Sequence, residues 1–450
     1  MTTPVRLRDR ALIMNALRAG VVPGRGLEHL QVGLGVEVEA IVQDIRTVKD
    51  SGTAVRVVVG EYGSGKTFFL RVVRNAAHKA GCITMGADVS QDARLYGTGG
   101  RVRSLYSMLM ASTATKSQPE GGAIAEVLER LVASATQEAS KQGVDAEQVI
   151  RHRLFPLTQH KGGPAFTDVV IAYWRAVRRD DDEQRDAAVR WLRGEYRTRT
   201  EARETLGVRS IIEDADLYPT LRLLAALVDA AGYGGLVVVL DEMSVLSRLN
   251  RQVRDQNYEQ ILTIVNSLLS GYAQNLMVVF SGTPEFMTDP VRGLHSYGAL
   301  RQRFGGNEFL RPGMVDVASP VITLQRLIPE DLHVLMENVH RVFTSNGHRD
   351  PLPDRDAAIR AFLDHAANQL GGLSKVTPRE VTRSWLQLLD ALDQNRDVDV
   401  ETLLGGVTIR MDVEDGQTSL DAGGSDDDGA GGDDPTATTG DQAALADFRL

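Results

Sequence analysis

The stretch VVVGEYGSGKTFFL, from Val57 to Leu70, constrains the fold more than any other part of the chain. Its β-branched apolar run stops at Gly60, which is typical of a buried strand. The residues after Lys66 have the pattern of a helix that ends at Gly81. The next apolar run, CITMGADV, predicts a second strand. A strand, loop, helix and strand in this order favour a parallel sheet in an α/β fold.

The loop matches the pattern G-x-x-x-x-G-K-[ST] at every fixed position. Glycines let backbone N–H groups turn inward around a phosphate, and the following helix adds its unpaired donors and positive dipole end. Lys66 can supply charge to the β- and γ-phosphates, and the Thr67 hydroxyl suits Mg²⁺. A chance glycine loop is the alternative, but the flanking strand and helix favour a nucleotide site. The residues predicted to line it are Gly60, Glu61, Tyr62, Gly63, Ser64, Gly65, Lys66, Thr67 and Phe68.

A second run, GLVVVLDEM, places two acidic residues directly after an apolar strand. Residues 236–240 are all apolar, as in a central parallel strand buried on both faces. Ligands of open α/β sheets bind at the carboxyl ends of strands. There, Asp241 is predicted to hold Mg²⁺ through water, and Glu242 to polarise the attacking water. Solvated acids are the alternative, but beside the loop the pair favours hydrolysis of a nucleoside triphosphate over phosphoryl transfer to a small molecule.

Polar and basic residues near later strands are further candidates. The run VVFSGTPEF ends with Ser281 and Thr283, which can contact the γ-phosphate or orient the water; hydroxyls that cap the next turn are the alternative. In YGALRQRF, Arg303, ahead of Arg301, is a candidate to reach the nucleotide of a neighbouring subunit. A surface arginine in a structural ion pair is the alternative for either residue.

Arg379 lies in KVTPREVTRSW, within a helical C-terminal region. Thr377 is predicted to cap a helix there, with Pro378 as its first residue. On such a lid helix, Arg379 can contact the γ-phosphate and report which nucleotide is bound. A solvated helix charge is the alternative.

The 450 residues are long enough for several domains. The sequence predicts an N-terminal helical segment at residues 1–50. It predicts a nucleotide-binding core at residues 51–328 and a helical lid domain at residues 329–410. A mostly helical insertion interrupts the core at about residues 100–235. Within it, the charged segment RWLRGEYRTRTEARETLG, residues 190–207, is predicted to be exposed.

The net charge of −10 belongs to the last forty or so residues, 411–450. They contain eleven acidic residues and one arginine, whereas the 49 acidic and 49 basic residues of 1–410 cancel. With few apolar residues among its Asp, Gly, Ser and Thr, this acidic tail is predicted to be disordered. The body is therefore neutral rather than basic, and DNA stays an unproven partner.

Apolar runs, the N-terminal pattern and the cysteine content indicate the cellular compartment. No apolar stretch approaches the ~18–20 residues of a membrane helix, and the N-terminus, MTTPVRLRDRALIMNALRAG, carries charges within its apolar pattern, unlike a signal peptide. The single cysteine, Cys82, excludes an internal disulfide framework and a multi-cysteine zinc site. These features predict a cytoplasmic protein without membrane contact.

The order of strand, loop, acidic pair, polar strand tip, arginines and helical lid is that of an AAA+ ATPase. Longer stretches resemble the ATP-binding protein family of the BREX phage-defence system, BrxD-like members in particular. The stretches are ALRAGVVPGRGLEHLQVG, VVVGEYGSGKTFFLR, WLRGEYRTRTEARETLGVRSII, GYGGLVVVLDEM, NYEQIL and GTPEF, within about residues 8–400. The resemblance implies a P-loop AAA+ core of the origin-recognition-related type, with ATP and Mg²⁺ as cofactors. It assigns the roles argued above to Lys66, Thr67, Asp241, Glu242, Ser281 or Thr283, Arg303 and Arg379.

The resemblance further implies an ATPase that cleaves the β–γ phosphoanhydride and acts as a switch or remodeller in bacterial phage defence. The implied partners are a homo-oligomer and other defence proteins. A slow-turnover, ATP-gated assembly scaffold for such proteins is the alternative, since nothing in the sequence excludes slow hydrolysis. A small-molecule or nucleoside kinase would need an acceptor site, and the helical insertion offers no clear one.

Overall fold

The computed structural model describes residues 4–215, 217–306, 316–370 and 377–406, and the predicted acidic tail lies outside them. Within these residues, five strands form one sheet: β1 Thr53–Gly60, β2 Ile83–Asp88, β3 Leu236–Asp241, β4 Leu276–Gly282 and β5 Val321–Leu324. Their order is β2-β3-β4-β1-β5, and every neighbouring pair is parallel. The predicted α/β class and parallel sheet are confirmed.

Helices make up most of the remaining described chain. Before β2 lie α1 Leu7–Arg18, α2 Gly35–Lys49 and α3 Lys66–Lys79. Between β2 and β3 lie α4 Arg101–Ala111, α5 Ile124–Gln142, α6 Ala146–Thr158, α7 Gly163–Arg179, α8 Asp182–Leu192, α9 Arg199–Leu206 and α10 Leu217–Ala230. Then follow α11 Arg251–Leu269, α12 Pro284–Thr288, α13 Gly298–Arg303, α14 Pro329–Phe343, α15 Arg355–Leu370, α16 Pro378–Gln394 and α17 Val400–Gly405. In the part of the chain that the structure describes, no helix has the length and apolarity to cross a membrane.

Both faces of the sheet are covered by helices. Successive strand side chains point to opposite faces. In β3, Val237 and Val239 pack with α2 and α3, whereas Leu236, Val238 and Leu240 pack with the insertion helices and α11. The sheet is therefore the middle of three layers, which explains the continuous apolar runs of its central strands.

The helical insertion shares one apolar core with the sheet, to which α5, α6, α7 and α10 all contribute buried residues. The prediction that residues 190–207 are exposed was wrong for their aromatic rings. Trp191 and Tyr196 are only 4% and 1% exposed. The Trp191 indole N–H donates to the Ser210 carbonyl at 2.7 Å, and Arg190 covers the Tyr196 ring. The charges of this segment line the surface while its rings fill the core.

A second apolar cluster brings the first helix to the last ones. Leu17 and its neighbours on α1 pack with α14, α15 and α16, where Trp385 is fully buried. Arg18 also pairs with Asp390 of α16 at 2.8 Å. Phe68, in the first turn of α3, packs against the same cluster. The two helices of the predicted N-terminal segment therefore pack in different places, α1 here and α2 against the sheet.

Candidate functional site

The glycine-rich loop connects β1 to α3, and each of its glycines is required either by a close contact or by its backbone conformation. A side chain at Gly60 would collide with the Ser64 hydroxyl. Gly63 and Gly65 have φ angles of 76° and 88°, in the left-handed region that favours glycine. A Cβ atom at Gly63 would also lie 2.6 Å from Cγ2 of Thr377. The loop is therefore a tight turn that ends at the unpaired N–H groups of the α3 N-terminus.

Lys66, the first residue of α3, folds its side chain back over the loop. Its Nζ donates to the carbonyl oxygens of Gly60 at 2.7 Å and Glu61 at 2.9 Å. Burial lowers the pKa of Lys66, and the carboxylates of Glu242 and Asp241 act in the opposite direction. The ammonium of the loop is therefore within electrostatic reach of the acidic pair, as the sequence predicts for a shared site.

Three neighbouring strands end in polar side chains along one row. Asp88 of β2 is in register with Asp241 of β3. Ser281 of β4 lies one residue past Leu240 and Phe280, the last paired positions of β3 and β4. By strand alternation, the three polar side chains point to the face that α3 covers. Burial and then the charge of Asp241 raise the pKa of Asp88. The row is therefore an acidic edge beside the loop.

Glu242 follows β3 in a backbone conformation that is uncommon for a residue with a side chain. Its φ is 54° and its ψ is 31°. Its N–H donates to Oδ1 of Asp241 at 2.8 Å, which fixes the two acids relative to each other. Burial first, and then the charge of Asp241, raises the pKa of Glu242, while Lys66 opposes the shift. A raised pKa makes this carboxylate a better proton acceptor.

The two predicted hydroxyls at the tip of β4 have different surroundings. Ser281 is fully buried, and its Oγ has no hydrogen-bond partner among the described residues. Thr283 caps α12, because its Oγ1 accepts the N–H of Phe286 at 3.3 Å. The N–H of Thr283 in turn donates to Oγ of Ser244 at 2.9 Å. Thr283 thus has the contacts of a cap, whereas the buried Ser281 hydroxyl has no partner among the described residues.

The structure does not bring Arg303 to the loop of its own chain. Nε of Arg303 donates to Oδ1 of Asn266 at 3.1 Å. Asn266 lies in the last turn of α11, which leads to the amino end of β4, whereas the loop follows the carboxyl end of the parallel strand β1. Arg301, on the same short helix, is also exposed. Arg303 therefore lies toward the amino ends of the strands, away from the loop of its own chain.

The helix α16 begins against the loop. Thr377 is its cap, as predicted, with Oγ1 accepting the N–H of Glu380 at 3.3 Å, and the Glu380 carboxylate accepts the N–H of Thr377 at 2.8 Å. Pro378 is the first helical residue, again as predicted. Arg379 follows with an exposed side chain. Because Thr377 contacts Gly63, Arg379 is two residues from the loop contact.

Three residues near the loop were not predicted from the sequence. Asp88 is the last residue of β2 and lies near the end of the predicted strand CITMGADV, so an acid near a strand end was the available signal. Arg326 lies 2.7 Å from the carboxylate of Glu61, and Ser244 contacts the tip of β4. Neither belongs to a local motif, because each reaches the site only through the order of the strands.

The family of the chain follows from comparison with known proteins. A search of the curated proteins finds no match. The family model described as BREX system ATP-binding protein BrxC/D matches residues 5–408. The match spans the glycine-rich loop, the acidic pair, the insertion and the C-terminal helices, and it confirms the resemblance seen in the sequence. The chain belongs to the family of BREX system ATP-binding proteins BrxC/D.

Proposed function

We propose that this chain binds ATP with Mg²⁺ at the carboxyl edge of its sheet and hydrolyses it, acting as an AAA+ switch or remodeller in phage defence. The observation that carries the proposal is geometric: the glycine-rich loop with Lys66 follows β1, and Asp241 and Glu242 stand at the end of β3, at the carboxyl ends of strands in one parallel sheet. Membership of an ATP-binding family supports ATP as the nucleotide. The parallel sheet and the helix that begins against the loop support the AAA+ type of core.

The residues at this edge fit a nucleoside triphosphate and Mg²⁺. Because Gly60, Gly63 and Gly65 carry no side chains, a phosphate can approach the backbone N–H groups closely. The buried Ser281 hydroxyl, unpartnered in the described chain, can donate to the γ-phosphate. The Thr67 hydroxyl and the Asp241 carboxylate are oxygen donors of the kind that Mg²⁺ prefers, and these two residues would hold it. Bound Mg²⁺ would neutralise charge on the phosphate oxygens.

In this proposal Lys66 binds the nucleotide and Glu242 takes part in the chemical step. The Lys66 ammonium donates to two loop carbonyls and can transfer those hydrogen bonds to β- and γ-phosphate oxygens. The N–H groups at the start of α3 orient the triphosphate. The Glu242 carboxylate accepts a proton from the attacking water as the bond between the γ-phosphorus and the bridging oxygen breaks. The products are ADP and phosphate.

Arg303 and Arg379 link hydrolysis to a change of shape. Since Arg303 lies toward the edge opposite its own loop, its guanidinium is suited to the nucleotide of a second copy in a homo-oligomer. Arg379, close to the contact between Thr377 and Gly63, is suited to sense the γ-phosphate from the C-terminal helices. Loss of that phosphate would release both arginines, and the resulting movement would act on another protein of the defence system.

An ATP titration with and without Mg²⁺, run with a phosphate-release assay, tests the proposal. The wild-type chain should bind ATP and release phosphate, and Lys66→Ala should bind ATP at least tenfold more weakly, about 1.4 kcal/mol or more. Lys79→Ala removes an exposed ammonium at the other end of α3 and is the matched control. Equal affinities of Lys66→Ala and wild type would contradict the nucleotide site. Binding without any phosphate release would contradict hydrolysis.

A further inference from the structure

An ion pair joins the glycine-rich loop to the segment that follows β5. Gly60 and Leu324 are in register at the carboxyl ends of the neighbouring strands β1 and β5. Just beyond them, Nε of Arg326 lies 2.7 Å from Oε2 of Glu61. The two side chains are 46% and 57% exposed, so solvent reaches the pair. The pair therefore lies at the mouth of the loop and not in the core.

Glu61 places a negative charge where an anionic ligand is expected. It is the acidic residue of the loop GEYGSGKT, and its backbone carbonyl already accepts a hydrogen bond from Lys66. A carboxylate at this position repels a polyanion unless a cation lies beside it. At several ångströms near a protein surface, one unit charge changes the binding constant of a charged ligand on the order of three- to tenfold.

We propose that Arg326 is a positioning residue of the ATP site, which neutralises Glu61 and so allows the loop to accept the triphosphate. This inference rests on the proposed function, since it concerns the affinity for ATP. It adds a residue from outside the loop, in the connection between β5 and α14. The site then depends on a contact between the sheet edge and the segment that leads to the C-terminal helices.

Four variants separate charge neutralisation from a mechanical role of the pair. Their ATP affinities are measured by titration calorimetry at about 0.05 M and about 0.5 M salt. Arg326→Ala should weaken ATP binding on the order of three- to tenfold at low salt, and less at high salt. Glu61→Gln should strengthen binding, because it removes a negative charge beside the expected triphosphate. The double variant should return to the wild-type affinity, and Arg326→Lys should stay near it. Arg199→Ala breaks a similarly exposed pair with Glu213, at 2.6 Å in the insertion, and is the matched control.

Each other pattern overturns the inference. If the pair only tethers the loop, Glu61→Gln and Arg326→Ala weaken binding alike. If Arg326 contacts the phosphates directly, the double variant stays as weak as Arg326→Ala. If all four match wild type, the pair has no part in binding. Failure of the proposed function is distinguishable, because the wild-type chain itself would then show no ATP binding that Lys66→Ala removes.

Discussion

At the scale of the residue, Glu242 is the side chain on which the proposed hydrolysis depends. Its backbone lies in the left-handed region and its N–H bonds to Asp241, so the position is defined by the backbone as well as by the carboxyl group. Glu242→Gln keeps the shape and the backbone bond but removes the proton acceptor. We expect it to bind ATP normally and to release phosphate more slowly, by roughly 10²-fold or more.

The control for this variant is Glu259→Gln, which changes an exposed carboxyl on α11 in the same way. It should leave both binding and turnover at wild-type values. If Glu242→Gln turned over ATP at a near-normal rate, another group would have to accept the proton. The carboxyl of Asp88, whose pKa burial raises, would then be the group to examine.

Single site residues can be proposed from the sequence where the proposed function depends on local spacing. Lys66 and Thr67 are separated from Gly60 by a fixed number of residues in one loop, and Asp241 and Glu242 directly end an apolar run. Arg326 is distant in the chain and reaches Glu61 only because β5 pairs with β1. No spacing in the sequence encodes that contact, so it could be found only in the fold.

At the scale of elements, the loop and the start of α16 fit together through Gly63. An alanine there must adopt a φ of 76° and place its Cβ 2.6 Å from Cγ2 of Thr377. We expect Gly63→Ala to lower the free energy of unfolding by about 1–3 kcal/mol, as measured by denaturant titration. The loss combines backbone strain with the separation of the loop from the helix.

Two further variants separate those contributions. Gly65→Ala meets a similar φ, 88°, but its Cβ would have no neighbour within 4 Å, so it reports strain alone. Thr377→Ser removes the methyl group but keeps the capping hydroxyl, and should recover part of the loss when combined with Gly63→Ala. Equal destabilisation by both alanines, with no recovery by serine, would show that the contact with α16 contributes nothing.

Elements were predictable where one local signal dominates. The cap Thr377 followed by Pro378 correctly predicts the start of α16, and the apolar runs predict the strands of the sheet. The segment around Trp191 and Tyr196 was misread, because its many charges outweighed two aromatic rings in the pattern. Whether such rings face solvent depends on α7 and α9, which pack on α8 from elsewhere in the insertion.

At the scale of the whole molecule, the position of Arg303 predicts that active sites are shared between copies. Arg303→Ala should bind ATP but lose hydrolysis, since the nucleotide in each copy then lacks the guanidinium of the neighbouring copy. Mixing it with Lys66→Ala should restore part of the activity, because some interfaces then pair an intact loop with an intact arginine. Phosphate release by the mixture, compared with each variant alone, is the measurement.

Arg301→Ala is the control, because it removes an exposed guanidinium from the same helix, two residues away. It should hydrolyse ATP without any mixing. A mixture of Arg303→Ala and Lys66→Ala that assembles, by sizing in the presence of ATP, yet stays inactive would contradict a shared site. Hydrolysis by Arg303→Ala alone at the wild-type rate would contradict it as well.

The packing of α1 on α16 has a consequence for how the protein is made. A ribosome completes α1 long before α16, so the apolar side of α1 lacks this partner while the strands and helices between them are made. The sheet with α2 and α3 needs no strand after β5, so it can fold before α16 is made. We therefore expect the cluster around Trp385 to form after the sheet, when α16 meets α1.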